Sequence, residues 1–237
     1  MSQTSAESSD HREFDPAALE AILRARLGTP LTGNMRIEKI SGGQSNPTFF
    51  VTFDNRRFVL RKQPRGHTLP TAHAVDREFR IMSALAGRNV PVPEMVFLEE
   101  DASVLGTKFY VMDRLDGRVM HQSGLPDMNA EDRFAAYSDL ARVLASLHTV
   151  DWKGAGLDGF GRPEGYFERQ IARWTKQWQL SKTRDIPEID QLADWLASNR
   201  PDDERTTIVH GDYRVGNVMF HPTEPRIVGV LDWELST

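Results

Sequence analysis

The amino-acid sequence predicts an α+β fold in two parts, in which a five-stranded antiparallel sheet with one helix precedes a mainly helical part. Three observations lead to this prediction. Strand-like runs dominate the first half of the chain, amphipathic helical patterns dominate the second, and the turn-forming pair Asp116-Gly117 separates them. We therefore assign residues 15–113 to the first part and residues 114–237 to the second.

The first part begins with a helix that has clear signals at both ends. Asp15-Pro16 supply an N-cap and a first-turn proline, and Gly28 follows the last turn. Residues 1–14 are polar, lack an apolar signal core and are expected to form a disordered tail. Strand-like runs follow at 35–40, 48–53 and 58–61, and a tight turn joins the last two.

A second helix and two further strands complete the first part. Residues 71–86 have helical spacing, with Ala74, Phe79, Met82 and Leu85 as the expected inward positions. Strand-like runs at 95–99 and 107–112 follow, separated by an acidic turn. The order of three strands, one helix and two strands predicts the five-stranded sheet.

The second part is predicted to be mainly helical, with one hairpin near its end. Helical patterns cover 130–149, 166–181 and 187–199. The first of these is amphipathic, and its expected inward residues are Phe134, Tyr137, Leu140, Val143, Leu144 and Leu147. Two short strands, 218–220 and 227–231, flank a proline-containing turn and form the predicted hairpin.

Composition excludes several classes of function. The 237 residues include no cysteine, which rules out disulfides, a cysteine nucleophile and thiolate metal sites. The net charge of −5 does not indicate a surface that coats nucleic acid. No apolar run approaches the length of about 18 residues that a membrane span needs. We expect a cytoplasmic protein without nucleic-acid or membrane partners, and the sequence leaves the oligomeric state open.

One stretch of the second part has the residue types and spacing of a phosphoryl-transfer site. His210-Gly211-Asp212 is followed by Asn217, and a second aspartate, Asp232, ends the next apolar run. Asp212 and Asn217 are separated by four residues, as in a kinase catalytic loop. In such a loop one carboxylate orients and deprotonates a hydroxyl, while an amide and a second carboxylate hold Mg²⁺ on the phosphates of ATP. The predicted hairpin would bring Asp232 beside Asn217, and His210 would brace the loop.

Taken singly, these residues have simpler explanations. An aspartate in a glycine-containing loop is usually a turn residue, and a lone histidine is usually structural. The combination, together with the strand-rich part that precedes it, favours an ATP- and Mg²⁺-dependent phosphotransferase that acts on a small-molecule hydroxyl.

The first part offers matching candidates for nucleotide binding. A glycine-containing loop between the first two strands could hold phosphates on its backbone N–H groups, and its candidate residues are Gly42, Gly43, Ser45 and Asn46. The third strand ends at Arg61-Lys62, where a cation would contact phosphates and Glu78 on the next helix could pair with it. Neighbouring strand residues face opposite sides of a sheet, so only one of this basic pair points inward. The sequence does not settle which one.

These motifs resemble those of the aminoglycoside phosphotransferase and choline kinase superfamily, which comprises small-molecule kinases with a protein-kinase-like fold. The resemblance spans nearly the whole chain and is closest to the kinase-like domain joined to some acyl-CoA dehydrogenases. It implies that Arg61 is the nucleotide-phosphate cation and that the linker containing Met112 and Arg114 faces adenine. It also implies hydroxyacyl-type acceptors as readily as aminoglycosides. Because relatives continue with helices beyond the position of Asp232, the second lobe is expected to be incomplete.

Three other interpretations stay open at this point. A nucleotide-binding pseudokinase or regulatory module would bind ATP without transferring phosphate. A protein kinase is disfavoured because Asp232-Trp233-Glu234 stands where such enzymes have Asp-Phe-Gly. The third alternative is a structural domain that binds no nucleotide.

Overall fold

The computed structural model describes residues 13–40, 46–66, 74–201 and 205–237. The first part forms a sheet with the strand order β1-β2-β3-β5-β4. All four neighbouring pairs are antiparallel, which confirms the predicted sheet. The strands are β1 (Arg36–Lys39), β2 (Thr48–Thr52), β3 (Arg57–Lys62), β4 (Met95–Glu99) and β5 (Phe109–Asp113).

Helix α1 (Pro16–Arg26) begins where its capping signals predict. The Asp15 carboxylate accepts a hydrogen bond from the Ala17 amide at 3.0 Å, which satisfies a helix N–H that has no partner within the helix. The folded part starts before the predicted boundary at residue 15. Phe14 is buried and meets the Phe49 ring edge-on, with 5.1 Å between the ring centroids. Residues 1–12 of the predicted tail lie outside the described residues.

Two further helices belong to the first part. Helix α2 (Val75–Leu85) lies within the predicted range and buries Val75, Glu78, Ile81, Met82 and Leu85. The acidic turn predicted between the last two strands contains a short helix, α3 (Ala102–Leu105), whose N-cap is the Asp101 side chain. Four residues are too short to give a detectable periodicity, so the sequence pattern missed this helix.

The sheet separates two hydrophobic cores. Its outer face packs against α1, with Phe49, Leu60 and Val111 among the buried residues. On the inner side, a second core joins α2 to the helical part and includes Tyr110, Leu140 and Trp233. Functional residues on the inner face of the sheet therefore look towards the second part of the chain.

The second part is mainly helical, as predicted. It contains α4 (Ala130–His148), α5 (Tyr166–Ser181) and α6 (Pro187–Ser198), and a small sheet in the order β6-β7-β8. That sheet is formed by β6 (Arg118–Val119), β7 (Val218–Phe220) and β8 (Ile227–Val230). The two-residue strand β6 was not predicted. Within the described residues, none of the helices combines the length and the apolar composition of a membrane span.

The inward face predicted for α4 is wrong at its N-terminal end. Phe134 is 78% exposed and Tyr137 is 46% exposed, whereas Leu140, Val143 and Leu147 are buried as expected. The buried stripe continues through Ala136, because the first turns of α4 present a small residue to the core. Large apolar residues at helical spacing therefore identified the helix correctly but not its whole buried face.

Candidate active site

The β7–β8 hairpin brings the two predicted metal ligands together. Val218 pairs with Val230, and the Leu231 amide donates to the Asn217 carbonyl at 2.9 Å. Asp232 follows directly and has left-handed backbone angles, φ 63° and ψ 62°. A non-glycine residue in this region is strained, and such residues concentrate at functional sites. The hairpin thus places Asp232 next to the loop at 210–217, the predicted catalytic loop, as the sequence predicted.

Asn217 is tied to Asp212 by both hydrogens of its side-chain amide. Nδ2 donates to the Asp212 carbonyl at 2.9 Å and to its carboxylate Oδ2 at 2.7 Å. The remaining end of the Asn217 amide, Oδ1, is an acceptor and is suited to a hard cation. A single residue therefore fixes the orientation of the predicted base and presents an oxygen ligand.

His210 is buried beneath the loop in one defined tautomer. Its Nε2 lies 2.9 Å from the Leu231 carbonyl oxygen, which can only accept, and its Nδ1 lies 3.3 Å from the Asp212 amide, which can only donate. Nε2 therefore carries the proton and the ring is neutral. Burial lowers the pKa of His210 from its ordinary value near 6.5, in agreement with this assignment. His210 acts as a brace between the loop and the β8 strand end.

We expect the stability of the fold to fall below about pH 6.5 because of His210. His210 binds a proton more readily in the unfolded chain than in the folded protein. Its contribution to the free energy of unfolding is therefore present above pH 6.5 and is lost as the pH falls through the lowered pKa. The free energy of urea unfolding, measured from pH 7.5 to 5, should fall less steeply in His210→Gln. The exposed helix-end variant His148→Gln is the control. Equal slopes in wild type and His210→Gln would contradict this assignment.

The backbone of the predicted catalytic loop is held against the segment that follows Asp232. Gly211 has φ +90°, and a Cβ there would lie 2.6 Å from the Leu235 carbonyl oxygen, so only glycine fits without displacement. Val209 and Thr237 exchange two backbone hydrogen bonds, of 2.8 and 2.9 Å. The loop and the Asp232 segment therefore form one unit.

Arg61 extends from β3 into the same region and meets three carboxylates. Its guanidinium lies 3.1 Å from Glu78 Oε2, 2.9 Å from Asp232 Oδ1 and 3.7 Å from Glu234 Oε2. The Asp232 contact is a hydrogen bond, whereas Nε–H is misaligned with Glu78, so that contact is electrostatic. Burial opposes the charged guanidinium, but the neighbouring carboxylates outweigh it and raise the pKa of Arg61. Arg61 is thus the inward-facing member of the basic pair.

Glu78 is a buried carboxylate with three partners. Asn46 Nδ2 donates to Oε1 at 2.8 Å, and the Tyr110 hydroxyl donates to Oε2 at 3.0 Å. Burial raises the pKa of Glu78, while Arg61 and these hydrogen bonds act in the opposite direction. Asn46, predicted as a phosphate-loop residue, is placed where it fixes Glu78 and so orients Arg61.

Lys62 lies on the outer face of the sheet, away from the other candidates. Its Nζ is 3.2 Å from the Leu105 carbonyl and 3.3 Å from the Glu13 carbonyl, and its side chain is buried. Burial lowers the pKa of Lys62, with the Arg65 charge as a second cause. The structure therefore does not bring Lys62 to the cleft, because strand alternation directs it to the face opposite Arg61.

A row of apolar side chains crosses the inner face of the sheet one pleat from Arg61. Phe50 pairs with Val59, which pairs with Met112. Val59 is buried yet belongs to neither hydrophobic core. The Arg114 guanidinium lies over the Phe50 ring, 3.7 Å from its centroid. The two predicted linker residues, Met112 and Arg114, therefore border an apolar surface beside Arg61.

Three residues of the predicted phosphate loop, Gly42, Gly43 and Ser45, are outside the described residues. Among the residues that the structure describes, no group of three or more histidine, aspartate and glutamate side chains is arranged to hold a metal ion. A cavity of about 200 Å³ in the helical part is bordered by Trp152, Phe160, Ile208 and Thr237 but by none of the predicted site residues.

The sequence pattern missed three residues that complete the site. Tyr110 contacts Glu78, and Glu234 contacts Arg61. Arg214 Nε donates to Asp212 Oδ2 at 3.1 Å. Strand alternation could have identified Tyr110, which pairs with Arg61 across β3 and β5. The positions of Glu234 and Arg214 depend on loop conformation, for which the sequence carries no periodic signal.

Comparison with known proteins shows which family this chain belongs to. A family model described as "Phosphotransferase enzyme family" matches residues 36–237. The chain belongs to this family. It is also similar to Acyl-CoA dehydrogenase family member 10 of Mus musculus, with 45% identity over 93% of this chain, and to member 11 of Gallus gallus, with 44% identity over 96%. The chain spans only 21% and 30% of those two relatives.

Solved structures give the same family of folds. A candidate aminoglycoside phosphotransferase from Ralstonia eutropha is 47% identical, with a TM-score of 0.85 over 94% of this chain and 66% of its own. The streptomycin–ATP ternary complex of APH(2″)-IIa has a TM-score of 0.63 at 16% identity and covers all of this chain and 72% of its own. At 16% identity, the similarity to APH(2″)-IIa shows only that the two chains share a fold. The kinase-like two-lobe fold predicted from the motifs is confirmed.

Proposed function

We propose that this chain transfers the γ-phosphoryl group of ATP to a hydroxyl of a small molecule, with Mg²⁺ as cofactor. The observation that carries the proposal is that Asn217 is hydrogen-bonded to Asp212, while the β7–β8 hairpin brings Asp232 beside Asn217. In this role Asp212 accepts the acceptor's proton, and Asn217 and Asp232 hold the metal. When bound, Mg²⁺ would neutralise charge on the phosphate oxygens.

The residues present fit a magnesium ion. Asn217 Oδ1 faces away from the Asp212 contacts, and Asp232 keeps one carboxylate oxygen, Oδ2, outside its hydrogen bond to Arg61. Mg²⁺ is usually bound by one or two protein oxygens together with substrate phosphates and water. This donor set needs no larger cluster of acidic residues.

The inner face of the sheet supports the proposed orientation of the nucleotide. The Phe50–Val59–Met112 row offers an apolar surface for a purine, and the next pleat carries Arg61. Residues two apart on a strand are separated by about 6.8 Å, so the base and the phosphates can occupy adjacent rows. We assign Met112 and Arg114 to the base end and Arg61, held by Glu78, to the phosphate end.

An ATP-consumption screen tests the proposal. The panel comprises aminoglycosides, hydroxyacyl-CoA compounds, choline-like amines, sugars and amino-acid derivatives, each with Mg²⁺ and with EDTA. We expect at least one class to give Mg²⁺-dependent ADP release and a phosphorylated product detected by mass spectrometry. Mg–ATP binding without transfer to any class would favour the alternative function, a nucleotide-binding pseudokinase. The Arg61–Asp232 hydrogen bond gives that alternative some support, because it engages a predicted metal ligand.

A further inference from the structure

Arg214 lies beside the predicted base, Asp212, and against Gly216. Its Nε donates to Asp212 Oδ2 at 3.1 Å, and its side chain is 58% exposed. A Cβ on Gly216 would lie 2.4 Å from Arg214 Nη1, so the guanidinium rests directly on the Gly216 backbone. Gly216 does not have a positive φ, so its lack of a side chain makes room for Arg214 rather than permitting a turn.

The positive charge of Arg61, the other arginine of the site, is largely offset by neighbouring carboxylates. Arg61 contacts Glu78, Asp232 and Glu234, whereas Arg214 has one carboxylate partner. Within the described part of the chain, the Nη groups of Arg214 make no hydrogen bond. The catalytic loop thus presents a guanidinium with open donors next to the base, on a side chain that Nε and the Gly216 backbone already orient.

Building on the proposed function, we infer that Arg214 binds the transferred phosphoryl group. In that reaction the acceptor oxygen bonds to the γ-phosphorus while the bond from phosphorus to the β–γ bridging oxygen breaks. ADP leaves with the bridging oxygen, and the acceptor's proton goes to Asp212. The reacting oxygen lies about 3 Å from both the base and the phosphorus. A guanidinium that is hydrogen-bonded to the base can therefore reach the equatorial phosphoryl oxygens.

Charge provides the physical reason for this role. The phosphoryl group and the Asp212 carboxylate are both negative, and negative charge spreads over the equatorial oxygens in the transition state. Arg214 lies where it can offset both charges. Arginine suits the task because its planar donors bind two oxygens at once. The contact should be stronger in the transition state than with bound ATP, so it should act on turnover more than on ATP affinity.

Trapping with Mg–ADP and aluminium fluoride tests the inference without an identified acceptor. We expect Arg214→Ala to bind Mg–ADP within about twofold of wild type but to form the aluminium fluoride complex about 10²-fold more weakly. Gly216→Ala should also keep its affinity for Mg–ADP and weaken the aluminium fluoride complex, because the added methyl group displaces the Arg214 guanidinium. Arg226→Ala is the matched control, since Arg226 Nε also lies 3.1 Å from a carboxylate two residues away, Glu224, and its side chain is 52% exposed.

The outcomes separate this inference from the proposed function. If the wild type forms the trapped complex and Arg214→Ala forms it equally well, Arg214 does not bind the phosphoryl group and the function is unaffected. If Arg214→Ala loses Mg–ADP affinity to the same extent as the trapped complex, the inferred selectivity for the transferred group is wrong. A wild-type protein that binds no Mg–ADP and forms no trapped complex would overturn the proposed function and the inference together.

Discussion

Asp212→Asn is expected to lower the rate of phosphoryl transfer by about 10²- to 10⁴-fold while leaving Mg–ATP affinity nearly unchanged. Asparagine keeps the shape of the side chain but cannot take the acceptor's proton. Asp212→Ala should abolish turnover as well, because it removes the carboxylate that Asn217 and Arg214 orient. The measurements are the single-turnover rate with the best acceptor of the screen and the Mg–ATP dissociation constant from calorimetry.

The unfolding temperature of Asp212→Asn serves as the control for its folding. The side chain at this position is half-exposed, and the backbone amide still donates to His210, so the unfolding temperature should stay close to that of the wild type. A variant that transfers phosphate at the wild-type rate would contradict the role of Asp212 as base. A variant that loses ATP affinity in the same proportion would assign it to nucleotide binding instead.

Arg61→Met should have the second large effect, on both nucleotide affinity and stability. It removes the cation that we propose faces the phosphates, and it leaves Glu78, which is 1% exposed, without its counter-charge. Breaking a buried ion pair by removing one partner typically costs about 3–5 kcal/mol. We expect a large fall in the free energy of urea unfolding and Mg–ATP binding too weak to measure by calorimetry.

Two further variants separate these effects. Lys62→Met alters the neighbouring residue on the outer face and should leave Mg–ATP affinity unchanged. The double variant Arg61→Met/Glu78→Met removes both charges and should regain stability without regaining nucleotide affinity, because an apolar pair can replace a buried ion pair. Equal losses of ATP affinity in Lys62→Met and Arg61→Met would contradict the assignment of Arg61.

The sequence predicted the elements of this fold because their periodicities are local. Alternation, caps and turn residues identified the strands β2 and β3, the α1 capping residues and the β7–β8 hairpin. The proximity of Asn217 and Asp232 followed from the hairpin alone. The sequence could not show which of Arg61 and Lys62 faces inward, since both faces of β3 are largely buried and the strand has no polar face in its sequence.

The remaining features of the site depend on tertiary contacts. Glu78 is held by Asn46 from the first loop and Tyr110 from β5, two residues that are far apart in the sequence. The contact of Arg214 with Gly216 arises from a loop conformation rather than from a repeating pattern. Phe134 fits the helical stripe but is exposed, since side-chain size at helical spacing does not specify which turn meets the core.

A crystal structure with Mg²⁺ and a non-hydrolysable ATP analogue would test the central claim most directly. We predict a metal ion about 2.0–2.1 Å from Asn217 Oδ1 and from a carboxylate oxygen of Asp232. The γ-phosphoryl group should face Asp212, and the purine should lie against Val59 and Met112. A nucleotide bound elsewhere, such as in the cavity beside Phe160 and Thr237, or a metal held without these two residues, would contradict it.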